Sequence, residues 1–241
     1  MQGGISMSAK MARGQTGWLP TLKRWLLIFL VMNLVGAAVA LFLENGLGSD
    51  SITPTMYAYQ IIEAIKIAKY NGLHIPIIYN TNGYERVKTI KALEGYIDVY
   101  LPDLKYYSNI LSKKYSYVDN YFDIATKAIK EMYNQVESAK FDENGIIQKG
   151  VIIRHLVLPN HIQNSRHILR WIKENMPGDI YVSIMMQYFP TYRAKQDKYI
   201  NRKLNKMEVK EIENYLYTLD LKNGYIQELG EHEEEYVPNW D

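Results

Sequence analysis

Hydrophobic and polar positions along this chain follow two rhythms that take turns. One is helical. Over residues 56–71, Ile61, Ile62, Ile65 and Ala68 share one face while Glu63, Lys66 and Lys69 lie opposite, the stripe of an amphipathic helix. Asn71-Gly72 ends it with residues that tolerate a left-handed cap. Residues 84–93 predict a second helix. Residues 117–136 predict the clearest one, because Tyr121, Ile124, Ala125, Ala128, Ile129, Met132, Tyr133 and Val136 make an unbroken apolar stripe. Ser165 reads as the cap of a helix running through Trp171 to Asn175, and Val209, Ile212, Tyr215, Leu216 and Leu219 mark a last one. The second rhythm is short, β-branched and apolar. It predicts strands at 75–79, 97–101, 151–158, 180–186 and 225–227, with a polar excursion at 141–145.

Strands separated by single helices imply right-handed crossovers and a parallel sheet. Four to five such units are too few to close an eight-stranded barrel. The pattern therefore predicts an α/β fold, an open partial (β/α) barrel with parallel strands over residues 52–241, plus an N-terminal apolar helix.

Residues 1–51 differ in character. A basic opening with Lys10, Arg13, Lys23 and Arg24 runs into residues 25–43, which hold no charge and one polar amide, Asn33. As a helix that run would span about 28 Å, close to the hydrocarbon thickness of a bilayer. The charges around it favour an N-inside anchor. Ala38-Val39-Ala40 offers a signal-peptide cleavage site instead, and a buried helix or a segment foreign to the domain is the third reading. The expectation is a cytoplasmic domain, with membrane anchoring through residues 25–43 as the alternative.

Composition narrows the chemistry. A net charge of +2 with Lys and Arg scattered over helices gives no footprint for nucleic acid. Cysteine is absent, which removes disulfides, zinc ribbons and thiol nucleophiles. Neither a G-x-x-x-x-G-K-S/T nor a G-x-G-x-x-G loop occurs, and the five histidines show no H-x-x-x-H spacing, so no metal ligands are assigned. The 21 tyrosines read chiefly as packing.

In parallel βα folds ligands sit at the carboxyl ends of strands, where loops vary while the sheet stays packed. After the first predicted strand come Asn80, Thr81 and Asn82, then Gly83, which lets the backbone bend toward a ligand. The competing reading is a turn that caps the next helix. After the second come Asp103 and Lys105, an acid and a base spaced to project to one side of an extended chain. They suit the carboxylate and ammonium of an amino-acid-like ligand, or else form a surface ion pair. Arg154 and His155 alternate sides on the next strand, so one of them faces the interior. Gln187 follows the last full strand. An acid-rich run from Glu228 to Glu235 reads as a solvated face.

The ordered series YNTNGY, YLPDLKY, VIIRHLVLPNH, SIMMQYFP and GYIQELGEHEEEYVPNWD resembles the strand-end motifs of the radical S-adenosylmethionine (radical SAM) family, in the branch of pyruvate formate-lyase activating enzyme. The resemblance covers about four-fifths of the chain, and the order of its motifs is more specific than any one of them. It implies S-adenosylmethionine (AdoMet) as cofactor, with Asn80, Thr81 and Asn82 near the ribose and Asp103 and Lys105 at the amino-acid end. Thr53 and Thr55 fall where relatives end their second strand and touch the cofactor. Arg154 and Gln187 are weaker carry-overs. In the family a [4Fe-4S] cluster held by C-x-x-x-C-x-x-C cleaves AdoMet reductively, and the substrate is a protein, a glycyl-radical enzyme. This chain has no such loop. The resemblance therefore implies a family body that is inactive in cleavage as it stands. The alternative is a truncated or rearranged, membrane-tethered and non-enzymatic fragment with at most weak AdoMet binding. If Asp103 and Lys105 form that amino-acid grip, they are expected to open toward the concave face within reach of Asn80 or Thr81, with little influence on fold stability.

Overall fold

A computed structural model describes residues 54–227 of the 241-residue chain. The expected apolar helix at 25–43, Thr53 and the acidic run from Glu228 lie outside the described residues. Among the described residues no helix is long and apolar enough to cross a membrane.

Helix α1 (Pro54–Tyr70) is followed by β1 (Ile78–Thr81), α2 (Val87–Ala92), β2 (Val99–Pro102), α3 (Asn109–Ser116), α4 (Tyr121–Val136), β3 (Lys140–Phe141) and β4 (Ile147–Leu156). Next come α5 (Ile162–Asn175), β5 (Tyr181–Met185), a 3-10 turn (Tyr192–Gln196), α6 (Lys206–Leu219) and β6 (Asn223–Gln227). Five strands run parallel in the order β1-β2-β4-β5-β6, and short β3 pairs antiparallel with β4. The expected α/β fold with a parallel sheet is what forms. The sheet lies within one compact unit that begins at Ile62.

Register divides the side chains into two sets. Tyr100 pairs with Val151, Ile153 with Val182 and Ile184 with Ile226. With His155, these residues face the helices: the Tyr100 hydroxyl donates to Gln135 of α4, and His155 bonds Ser165 of α5. Val151, Ile153 and Ile184 are nearly inaccessible, as are Ala125, Ile129 and Met132 on the stripe of α4 and Ile168 and Ile172 on that of α5. Burial of this kind supplies about 25 cal/mol per Å² and is the main force holding the layers together. The opposite set, Leu101, Asp103, Arg154, Tyr181, Ser183 and Met185, is half-exposed. That set leads to the strand ends where chemistry is sought.

Several expected boundaries move. The first strand begins at Ile78, because Ile77 N–H is occupied by the Asp98 carboxylate at 2.7 Å rather than by a ladder. The polar excursion at 141–145 is a hairpin turn, with Asp142 accepting the Asn144 and Ile146 amides. The long helix starts at Tyr121, and α3 stands apart from it because Tyr117 and Asn120 are both left-handed. Ser165 is not a cap: α5 starts three residues earlier, and the Ser165 side chain is buried against His155. Thr55 lies in the first turn of α1 and not at a strand end, since Pro54 suits the opening of a helix.

Candidate functional site

The carboxyl end of β2 carries the best-defined polar cluster. Asp103 continues the parallel register, bridging to Arg154 one step beyond the paired strands. Its Oδ1 accepts from Arg154 Nε at 2.8 Å and lies 2.6 Å from a terminal guanidinium nitrogen, a two-pronged contact. Its Oδ2 lies 3.3 Å from Lys105 Nζ. Two cations thus share one carboxylate, and the cluster is left with one positive charge. Asp103 is 14% exposed, Arg154 26% and Lys105 37%, so the group is sheltered at its acid and open at its base.

The backbone beneath it is fixed from three sides. Asp103 N–H donates to Thr81 O at 2.9 Å, extending the β1–β2 ladder. The Tyr121 hydroxyl shares its proton between Asn82 O and Asp103 O, each at 2.8 Å, and accepts the Lys105 amide at 3.1 Å. Burial raises the Tyr121 phenol pKa, which keeps it protonated as a donor. Gly83 crosses so close to this point that a Cβ would fall 2.1 Å from Asp103 O, and its φ of +79° suits only glycine well.

His155 locks the same strand end from behind. It is inaccessible, its Nδ1 donates to Leu104 O at 2.7 Å, and its Nε2 accepts from Ser165 Oγ at 2.8 Å. Burial lowers its pKa to about 4, outweighing the opposite pull of the Leu104 carbonyl and the Asp103 charge, so the ring is neutral. Of the alternating pair Arg154 and His155, the histidine is therefore the interior one.

The Thr81 and Asn82 side chains do not join this cluster. Thr81 lies on the helix-facing set with Tyr79, is nearly buried, and donates to Glu85 at 2.7 Å while accepting from Gly83 N. It cannot reach Asp103 with its side chain, because strand neighbours alternate faces and Asp103 is on the other one. Asn82 is exposed and accepts the Tyr84 amide, the turn-making role that was the competing reading of this segment. Asn80, exposed, pairs in register with Leu101 and so shares the Asp103 face. Gln187 follows β5 and is half-buried. Thr55 belongs to helix α1 rather than to a strand.

Sequence reasoning did not anticipate a cavity of about 570 Å³ at the ends of β4 and β5. Lys105 contributes to its lining, together with residues of α3 and of the segment after β5. Lys114 lies 2.7 Å from Asp197 and 3.1 Å from the Tyr115 hydroxyl, which also bonds His161 Nε2 at 2.7 Å. Tyr188 donates to Ile200 O at 2.7 Å and closes one wall; burial pushes its phenol up to about 12. The only hint in the sequence is the density of tyrosines at 106–121 and 188–199, which periodicity reads as packing.

Among the described residues no group of three acidic or histidine side chains could hold a metal ion. No protein-family model matches the chain. Over 180 residues it is 35% identical to an uncharacterized protein of Methanocaldococcus jannaschii, a match that takes in 73% of this chain and 47% of that protein. The chain thus spans about half the length of the curated relative it matches. A crystal structure of a domain of pyruvate-formate lyase-activating enzyme from Bacteroides vulgatus aligns over 76% of this chain and 96% of that domain, with a TM-score of 0.51 and 14% identity. The protein is therefore similar in fold to an activating-enzyme domain, with parallel strands and helices in the same broad arrangement.

Proposed function

We propose that residues 52–241 form an open, partial (β/α) barrel of radical SAM type that binds AdoMet at its strand ends and does not by itself cleave it, with residues 1–51 a separate segment. The observation that carries this reading is the Asp103–Arg154–Lys105 cluster at the carboxyl ends of two neighbouring parallel strands. One positive charge is left over there, and Lys105 and Arg154 keep donors for a carboxylate, which suits the amino-acid end of AdoMet. Asp103 is already shared between two cations, so the ligand's ammonium competes for it and the carboxylate is the better-held group. Asn80, on the same face, is the nearest candidate for a ribose hydroxyl.

The [4Fe-4S] cluster of the family does not fit this chain. It has no cysteine, and the described residues offer no substitute ligand set. No cleavage step is assigned to it.

Equilibrium dialysis with labelled AdoMet tests the reading. Saturable binding that weakens in Arg154→Gln and Lys105→Gln supports it, as does a lack of 5′-deoxyadenosine after iron and sulfide reconstitution. No binding by a folded chain, or binding indifferent to both substitutions, would refute the cofactor site. Formation of 5′-deoxyadenosine would refute the claim that the chain does not cleave its cofactor.

A further inference from the structure

The cavity beyond the Asp103 cluster has a chemistry of its own. Its volume of about 570 Å³ lies in the range that encloses small organic ligands. Its inner wall is apolar, built by Leu156, Leu158, Ile200 and the buried rings of Tyr106 and Tyr188. Its charged lining is three cations, Lys105, Lys114 and Arg193, against one anion, Asp197.

These cations are not equally engaged. Lys114 is committed to Asp197 and also lies over the Tyr115 and Tyr199 rings, 4.6 Å from each centroid. Lys105 holds Asp103 at 3.3 Å, but Arg154 holds the same carboxylate more closely, so one positive charge is left over there. Arg193 has no carboxylate partner among the described residues. It donates to the Tyr117 hydroxyl at 2.8 Å, and its guanidinium lies 5.5 Å from the centroids of the Tyr117 and Tyr192 rings. That contact leaves most of its five donors unused. The pocket thus has an aromatic, apolar wall and an excess of two positive charges at its open side, Arg193 being exposed and Lys105 37% exposed, an arrangement that repels cations. It gives a neutral molecule no partner for those charges, and it suits an anion with a flat apolar body.

We infer that this cavity binds a small organic anion, an aryl or arylalkyl carboxylate or phosphate, whose acidic group meets Lys105 and Arg193 and whose ring packs against Tyr106, Tyr188 and Leu156. The cavity supports this independently of AdoMet, although Lys105 adjoins both sites. Lys114 and Asp197 neutralise each other and shape the wall beside α3.

Titration of the full chain with phenylacetate, phenyl phosphate and neutral phenylacetamide, followed by amide NMR, is the test. Both anions are expected to bind and to weaken with added salt, with the amide about tenfold weaker, the usual loss of one charge-assisted hydrogen bond. The tighter of the two anions identifies the head group. Arg193→Gln should lower anion affinity severalfold and leave the amide unchanged. Ala194→Phe, which fills the cavity, should abolish binding of all three. If that variant does not fold, the exposed Arg193→Gln still decides. Equal binding of amide and carboxylate, or indifference to Arg193→Gln, would overturn the assignment. Anion binding by a chain that does not bind AdoMet would sink the cofactor reading and leave this one standing.

Discussion

Replacing Asp103 by alanine removes the acceptor that two cations share. The main loss is the two-pronged contact from Arg154, with prongs of 2.8 and 2.6 Å, at a site where the acid is 14% exposed and the base 26%. A hydrogen bond to a charged group contributes about 1.5–3 kcal/mol net, and the two prongs act as one unit. Arg154 is partly open and regains some hydration, which keeps the cost at the lower end. Lys105, at 3.3 Å and more than a third exposed, adds at most about 0.5 kcal/mol. The expected loss of stability is therefore about 2 kcal/mol. The backbone contacts of Asp103 with Thr81 and Tyr121 survive, so the chain still folds. The expectation from sequence, little effect on stability, is the opposite outcome, and the measurement decides between the two. Urea denaturation followed by circular dichroism measures the loss, and a cycle with Arg154→Leu isolates the pair. A cost under about 0.5 kcal/mol, or strict additivity in the cycle, would refute the view of Asp103 as the organising acid.

Two further outcomes follow from the same strand end. Gly83→Ala places a Cβ 2.1 Å from Asp103 O at a φ of +79°, so it should cost about 1–3 kcal/mol and displace the 103–105 segment, seen as a lowered urea midpoint with amide shifts at Asp103 and Lys105. His155 is neutral in the fold with a pKa near 4, against 6.5 when free, so the unfolded chain binds the extra proton. Its contribution is complete above pH 6.5 and is lost as pH falls toward 4, on the order of 3 kcal/mol in all; His155→Gln should flatten that window, and an unchanged pH profile would contradict it.

Most of the element order was legible because α1, α2, α4, α5 and α6 carry apolar stripes and the five parallel strands short apolar runs; α3, whose one buried residue is Ser112, and two-residue β3 carry neither signal and were not predicted. Asp103 and Lys105 were legible as a pair because they are adjacent on one extended segment. Arg154 joins them only through the pairing of β4 with β2, a relation across 51 positions that no local pattern encodes. Thr81 misled because a strand-end hydroxyl looks available until the sheet's alternation turns it to Glu85. The cavity was illegible for a similar reason. Its tyrosines come from the loop after β2 (Tyr106), from α3 and its cap (Tyr115, Tyr117), from the segment after β5 (Tyr188) and from the 3-10 turn (Tyr192), and each segment alone reads as packing.

The most direct test of AdoMet binding at the strand ends is a titration of the isotopically labelled chain, with each backbone amide followed by NMR. The account predicts saturable shifts that centre on Asn80, Gly83, Asp103, Lys105 and Arg154 and vanish in Arg154→Gln. Shifts confined to other faces of the sheet, or a spectrum unmoved by millimolar AdoMet, would contradict it.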